Sequence, residues 1–351
     1  MRRPQFIQQL FIQTEQFLSV KSTITLRRIE KENGLPHFPL EDIPLLRRQR
    51  FTLKLILRNE NQEVISEHLF DTDSFGQAFF RIPLPPQQRV SYLQSYETSF
   101  SPGVDFLLGS NYPLEIKRPT KIVISDFDKT LVSTSYSTPL DIVTSLINPV
   151  DYFPPIEEGL KLFKDYISQN YTPFVLSASP HFYESTIKDW LGTHGMITSG
   201  LFLKDYRQSF SISDGLLALK DLWIQGLYKL DQLLDLLIMT ALPDEIVLLG
   251  DDHESDPMIY LTLAQILTTE AEPFRVWQKI VANKSFKLSQ KQEARLLTKI
   301  YEISSFVYDR KKQGLPYPVL KIYIRRLGKK GKIPNELLKS VEKNIQLEFF
   351  S

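Results

Sequence analysis

Lys121-Ile122-Val123-Ile124-Ser125-Asp126-Phe127-Asp128-Lys129-Thr130 is the stretch whose reading decides the fold. Its first half is short, β-branched and apolar, as expected of a strand buried on both faces in the middle of a parallel sheet. It then stops in two aspartates one residue apart. Ligands of open α/β sheets sit beyond the carboxyl ends of the strands, so these two carboxylates are delivered to the edge where chemistry is expected. Two such anions at a buried edge require a cation or a proton between them, and a divalent metal is the natural partner.

Working outward, two more apolar runs end in polar tips. Pro173-Phe174-Val175-Leu176 leads into Ser177-Ala178-Ser179-Pro180, followed by a helix expected from about Phe182 to Leu191 whose first amides would face an anion near Ser177. Ile246-Val247-Leu248-Leu249 leads into Gly250-Asp251-Asp252-His253-Glu254-Ser255-Asp256. Helical patterns lie between the runs, at Leu140 to Ile147, Ile156 to Ile167 and Leu227 to Met239, and another follows at Pro257 to Leu267. Strands alternating with helices imply an α/β fold with a doubly wound parallel sheet. Lys204, Lys220 and Lys229 all fall between the second and third tips. Lys229 heads the helix carrying Leu233, Leu236 and Leu237, which places it near the same edge, and it is preferred over Lys220.

Asp-x-Asp-x-Thr after a hydrophobic strand resembles the first motif of the haloacid dehalogenase-like phosphatases. Together with Leu-Ser-x-Ser-Pro at Leu176 to Pro180 and Gly-Asp-x-x-x-x-Asp-Pro-x-Ile-Tyr at Gly250 to Tyr260, it looks like the Mg-dependent phosphatidate phosphatases of the actin-patch protein family. Lys321-Ile322-Tyr323-Ile324-Arg325 is similar to that family's final strand, and Phe153-Pro154-Pro155-Ile156-Glu157 to its Pro-rich turn. The resemblance covers roughly 120–260 and 319–326. It implies a haloacid dehalogenase-like core with a minimal cap, and hydrolysis of a phosphomonoester through an aspartyl-phosphate. The implied substrate is phosphatidate, cleaved to diacylglycerol and phosphate.

Residue by residue, the resemblance implies Asp126 as nucleophile and Asp128 as general acid and then base. Ser177 and Lys229 would complete the catalytic set. Phe127, Thr130, Ser177 and Lys229 would hold the phosphoryl group, and Asp126, Asp128 through its backbone carbonyl, Asp251 and Asp256 would ligate Mg2+, a hard cation that takes oxygen ligands. Lys129 and the pair Asp252-His253 depart from the family pattern. Both change charge beside the metal, and whether Asp252 and His253 take part there stays open. Of the other histidines, His181 follows Pro180 close to the expected phosphate, while His37, His68 and His194 read as structural.

Residues 1–118 read as a separate β-rich, sandwich-like domain. Thr23 to Leu26, Phe51 to Leu57, Val64 to Phe70, Gln77 to Ile82, Val90 to Tyr96 and Val104 to Leu108 are strand-like runs broken by Pro, Gly, Asn and Asp. Asp71-Thr72-Asp73-Ser74-Phe75-Gly76 reads as a tight turn in preference to a Ca2+ loop. The phosphatase-like domain spans 119–351 and carries a helical insertion at about 268–318, then a strand at Val319 to Ile324 and a terminal helix from about Asn335.

With 42 Lys plus Arg against 41 Asp plus Glu, nothing in the overall charge points to a nucleic-acid partner. The absence of Cys excludes disulfides, thiolate zinc sites and a cysteine nucleophile, and fits a reducing compartment. No signal-peptide core and no apolar run of about 20 residues is present. A cytoplasmic protein is expected, with peripheral membrane contact as an option. Arg325 to Lys332, and Arg47, Arg48 and Arg50, would each add about 1 kcal/mol per basic residue on an anionic surface, against the plainer reading of solvated loops. The competing functions are a phosphatase of a soluble phosphomonoester or phosphoprotein, and an inert binding module on the same fold. Oligomeric state is not legible.

Overall fold

The computed structural model describes residues 2–28, 49–134, 153–205, 226–252, 255–268, 272–282, 290–327 and 345–351. It divides into two compact units. The first is not one continuous stretch: it comprises residues 1–117 and also takes in Pro180–Ser185 and Asp205.

Two four-stranded sheets build the first unit. One has the order β5-β2-β1-β8, from β1 (Arg2–Gln13), β2 (Phe17–Arg28), β5 (Gln77–Pro83) and β8 (Leu114–Glu115). The other has the order β4-β3-β6-β7, from β3 (Thr52–Arg58), β4 (Val64–Asp71), β6 (Tyr92–Ser101) and β7 (Val104–Asn111). Among the described residues these strands pair antiparallel, except β1 with β8. In β3, Leu53, Leu55 and Leu57 are fully buried and alternate with half-buried Lys54, Ile56 and Arg58, the period-two pattern of a strand with one core face. They join Phe11, Leu18, Val20, Ile24, Ile82 and Leu93 in one hydrophobic cluster drawn from both sheets. Each such side chain contributes about 1.5–3 kcal/mol on burial. Asp73 closes the turn after β4 by accepting from the amides of Phe75 and Gln77 at 2.8 and 3.0 Å, so its carboxylate serves the turn.

A six-stranded sheet organises the second unit, with the order β11-β10-β9-β12-β13-β14. Its strands are β9 (Lys121–Ser125), β10 (Thr172–Pro180), β11 (Gly200–Lys204), β12 (Glu245–Asp251), β13 (Val319–Arg325) and β14 (Ile345–Phe350). The pairs β10–β9, β9–β12, β12–β13 and β13–β14 are all parallel. The fold is therefore α/β with a parallel sheet, preceded by separate, mainly antiparallel sheets. Ile122, Val123 and Ile124 are all buried, because β9 is central and covered on both faces. From β9 the chain builds outward on one side to β10 and β11, and on the other to β12, β13 and β14. The place where that direction reverses is a topological switch point, where parallel sheets open a crevice.

Helices α1 (Glu157–Ser168), α2 (Glu184–Thr193), α3 (Gly226–Met239), α4 (Asp256–Thr268), α5 (Pro273–Ala282) and α6 (Gln290–Lys312) accompany this sheet. Residues 268–318, expected to be an insertion, supply α5 and α6. Val276 and Ile280 bury one side of α5, and Leu296, Ile300 and Ile303 do the same for α6. Charge also ties α6 down. Lys299 Nζ, buried, lies 2.5 Å from both Asp231 Oδ1 and Asp235 Oδ1 of α3, and Asp235 is fully buried. Arg295 approaches the same two carboxylates at 3.7 and 3.8 Å. Near its far end, Arg310 bonds Asp244 Oδ1 at 2.9 Å and the carbonyl of Pro316 at 3.0 Å.

One element differs from expectation. The end of the chain, Ile345–Phe350, is a strand and not helix, parallel to β13. The stretch Ile345-Gln346-Leu347-Glu348 alternates apolar and polar, and its burial alternates with it, a period of two that suits a sheet edge. The helix expected at 140–147, the start of the expected terminal helix and most of the basic run after Leu327 lie outside the described residues. Among the described residues no helix is long and apolar enough to cross a membrane.

Candidate active site

The register of the parallel sheet brings the polar tips to one level. Ser125 pairs with Val175 on one side and with Leu249 on the other, so the residues immediately beyond emerge together at the carboxyl edge. The Asp126 amide continues the ladder by donating to Leu249 O at 2.8 Å. From that edge Asp126, Asp251 and Asp256 converge, all buried, with one carboxylate oxygen of each within 4.8 Å of the others. Asp126 and Asp251 arrive on strand ends, and Asp256 opens α4.

Lys229 enters this cluster from α3. It is fully buried, with Nζ 2.9 Å from Asp126 Oδ2 and 2.7 Å from Asp256 Oδ1. Three carboxylates and one ammonium in so small a buried volume carry a net charge of about two negative, and all the converging acidic donors are oxygens. A hard divalent cation fits such a donor set. Asp126 Oδ1 accepts from the Phe127 amide at 2.8 Å, so both carboxylate oxygens have a defined orientation.

Asp128 faces the other way along the edge. Its Oδ2 accepts from Ser177 Oγ at 3.0 Å and from Ser179 Oγ at 2.7 Å, while the Ser179 amide donates to Ser177 Oγ at 2.9 Å. The carboxylate of Asp128 is thus outside the three-carboxylate group. Beyond it the chain makes a tight loop: Lys129 has φ 59°, and the amides of Leu131 and Val132 donate to Phe127 O. Arg325 Nη1 donates to Lys129 O at 2.8 Å and pins this loop to the end of β13. The Phe127 ring packs edge-on against Trp190, 5.2 Å between centroids, which anchors the strand tip in the core. Thr130 is fully buried on the same loop.

The remaining candidates separate by place. Asp252 Oδ1 accepts from the Leu327 amide and its own amide donates to Arg325 O, so it holds β12 to the end of β13 and lies outside the group of three carboxylates. His253 and Lys220 fall outside the described residues, and Lys204 is buried at the end of β11. His181 lies 3.7 Å from Asp205 within the first unit. His194 Nδ1 meets Trp190 O at 2.8 Å, and His68 stacks on Phe70 with its pKa lowered by burial.

Two supporting residues were absent from the candidates. Ser179 follows Ser177 by two in a strand, and residues two apart share a side; that spacing alone would have flagged it. Tyr260 is buried on α4 and donates to Leu249 O at 2.9 Å. Burial first, and the Asp256 carboxylate second, push its phenol well above the ordinary tyrosine value, which keeps it a donor. Gly250 is what lets α4 approach: a Cβ there would lie 2.5 Å from Asp256 Oδ2 and 2.8 Å from Tyr260 Cε2. Gly250→Ala should therefore displace Asp256 and cost about 1–3 kcal/mol, as overpacking does. Thermal melts with and without Mg2+ check this, and an unchanged melt and metal response would show that the contact relaxes freely.

Residues 121–271 match the family model described as phosphatidate phosphatase APP1, catalytic domain. No curated protein matches the chain. Among solved structures, the chain is similar at 9% identity to a calcium-binding mutant of Bacteroides uniformis beta-glucuronidase 2, over 97% of this chain and 36% of that one, with a TM-score of 0.27. It is similar at 8% identity to Lactobacillus rhamnosus beta-glucuronidase, over 100% of this chain and 62% of that one, also with a TM-score of 0.27. The chain spans less than two thirds of the length of either, and at such scores neither likeness carries an argument.

Proposed function

We propose, from the match of residues 121–271 to the phosphatidate phosphatase family, that the chain is a Mg2+-dependent phosphomonoesterase with a haloacid dehalogenase-like core. Its proposed substrate is phosphatidate, hydrolysed to diacylglycerol and phosphate. The observation that carries the reading is the meeting of Asp126, Asp251, Asp256 and Lys229 in one buried cluster at the carboxyl edge of a parallel sheet. The strand order supports it, with β9 central and its tip at the switch point.

In this reading a carboxylate oxygen of Asp126 attacks phosphorus, and the bond from phosphorus to the substrate oxygen breaks. Asp128 gives its proton to the departing alkoxide. Asp128 then takes a proton from water, whose oxygen attacks the aspartyl-phosphate and releases inorganic phosphate, restoring both carboxyl groups. Lys229 holds the nucleophile by its Oδ2 and sets positive charge beside the equatorial phosphoryl oxygens. Ser177 and Thr130 supply hydroxyls on the phosphoryl side, and the Phe127 amide fixes Asp126. Asp126, Asp251 and Asp256, with the carbonyl of Asp128, would hold the metal. Mg2+, when bound, neutralises phosphoryl charge and lets two anions approach.

The test is phosphate release from p-nitrophenyl phosphate and from short-chain phosphatidate vesicles, with Mg2+ and with EDTA. Mg2+-dependent release from both supports the reading. Activity on p-nitrophenyl phosphate alone would move the substrate to a soluble phosphomonoester, and activity on neither would leave a binding module. Asp251→Asn should weaken Mg2+ affinity more than it disturbs folding. Its melting temperature without metal should stay close to wild type, while the rise produced by Mg2+ shrinks. An undiminished rise would contradict the ligand assignment.

A further inference from the structure

We infer that Ser179 is the positioning residue for Asp128, an inference that rests on the reading of Asp128 as proton donor to the leaving group. Two hydroxyls converge on one oxygen of that carboxylate: Ser179 Oγ at 2.7 Å and Ser177 Oγ at 3.0 Å. Both serines stand on the same side of the end of β10, and the backbone amide of Ser179 also donates to Ser177 Oγ at 2.9 Å. The network ties the tip of β10 to the loop after β9 and sets the direction of the Asp128 side chain.

The two hydroxyls are not equivalent. Ser177 is fully buried and, in the proposed reading, faces the phosphoryl group, so a phosphoryl oxygen arriving there competes with Asp128 for its single hydroxyl hydrogen. Ser179 is half-buried, one strand repeat further out, and makes the shorter bond. With substrate in place Ser179 is the hydroxyl still committed to Asp128. Its effect on phosphoryl capture runs through the proton that Asp128 delivers as the bond from phosphorus to oxygen breaks, so in that step it depends on whether the leaving group needs that proton. The later attack of water, with Asp128 as base, is common to both substrates and enters kcat but not kcat/KM.

Leaving-group dependence supplies the test. p-Nitrophenolate departs without protonation, whereas the alkoxide of a diacylglycerol must receive a proton. Ser179→Ala, Ser179→Thr and Asp128→Asn would be assayed in the full-length protein with Mg2+ on p-nitrophenyl phosphate and short-chain phosphatidate, separating kcat from KM. Ser179→Ala should lower kcat/KM on phosphatidate about 10-fold or more, a fraction of what general acid catalysis supplies. On p-nitrophenyl phosphate it should change kcat/KM by less than about 3-fold, with Ser179→Thr near wild type on both substrates. An equal loss of kcat/KM on both substrates, or none on phosphatidate, overturns the inference. If Asp128→Asn shows the skew and Ser179→Ala does not, the phosphatase reading stands and the role of Ser179 falls. A wild-type protein inert on both substrates removes both.

Discussion

Asp126→Asn should lower turnover by on the order of 10^4-fold or more, because without a carboxylate to capture the phosphoryl group the rest of the site acts alone. The substitution is nearly isosteric. The Phe127 amide that donates to Oδ1 at 2.8 Å keeps an acceptor if the side-chain oxygen stays there, and Lys229 retains Asp256 at 2.7 Å. The loss should thus be chemical, with a melting temperature within a few degrees of wild type. Steady-state phosphate release alongside a thermal melt separates the two, and wild-type turnover would exclude Asp126 as nucleophile. A mass shift of one phosphoryl group, trapped by acid quench in wild type and absent in the variant, gives a second readout.

Lys229→Met should be the most damaging change to the fold around the site. The ammonium is fully buried between Asp126 and Asp256, and breaking a buried ion pair from one side costs about 3–5 kcal/mol because the surviving charge stays buried. Turnover should fall about 10^2- to 10^3-fold from the lost electrostatic stabilisation. Added Mg2+ should recover part of the stability, since it replaces positive charge among the same carboxylates, but not the turnover. Denaturant titration with and without Mg2+ measures this. A variant as stable as wild type without metal would show that Lys229 is not the charge on which the buried aspartates depend.

Several of these features were legible before any coordinates. The β9 run is short, β-branched and uninterrupted, and it forms the strand Lys121–Ser125, buried on both faces as a central position requires. Lys229 could be chosen among three lysines because a helix packing Leu233, Leu236 and Leu237 inward carries its first turn to the carboxyl edge. Other elements were hidden for physical reasons. β1 was obscured by Gln8, Gln9 and Gln13, and by a register shift between Phe6 and Gln8 that breaks strict alternation. β11 is five residues, Gly200–Lys204, too short for a pattern to declare itself. The end of the chain reads as the tail of a helix from about Asn335, although Ile345 to Glu348 already alternates as a strand does.

At the site the legible part was the acidic and hydroxyl-bearing tips, since their residue types carry the chemistry. What supports them was not legible from type alone. Asp252 sits beside Asp251 in sequence yet binds the backbone at the end of β13, and Arg325 reaches the loop at Lys129 from 196 residues away. Such pairings follow from strand order, which a single chain's residues do not spell out.

The ion-paired seam between α3 and α6 has a bearing on where the second unit can be cut. The family match ends at residue 271, yet Asp235, inside it, is fully buried and its ammonium partner is Lys299, outside it. Severing the chain after the match would leave the buried Asp235 carboxylate without Lys299, at a cost that buried charges carry when one partner is removed. A piece meant to fold by itself should therefore carry α6 as well.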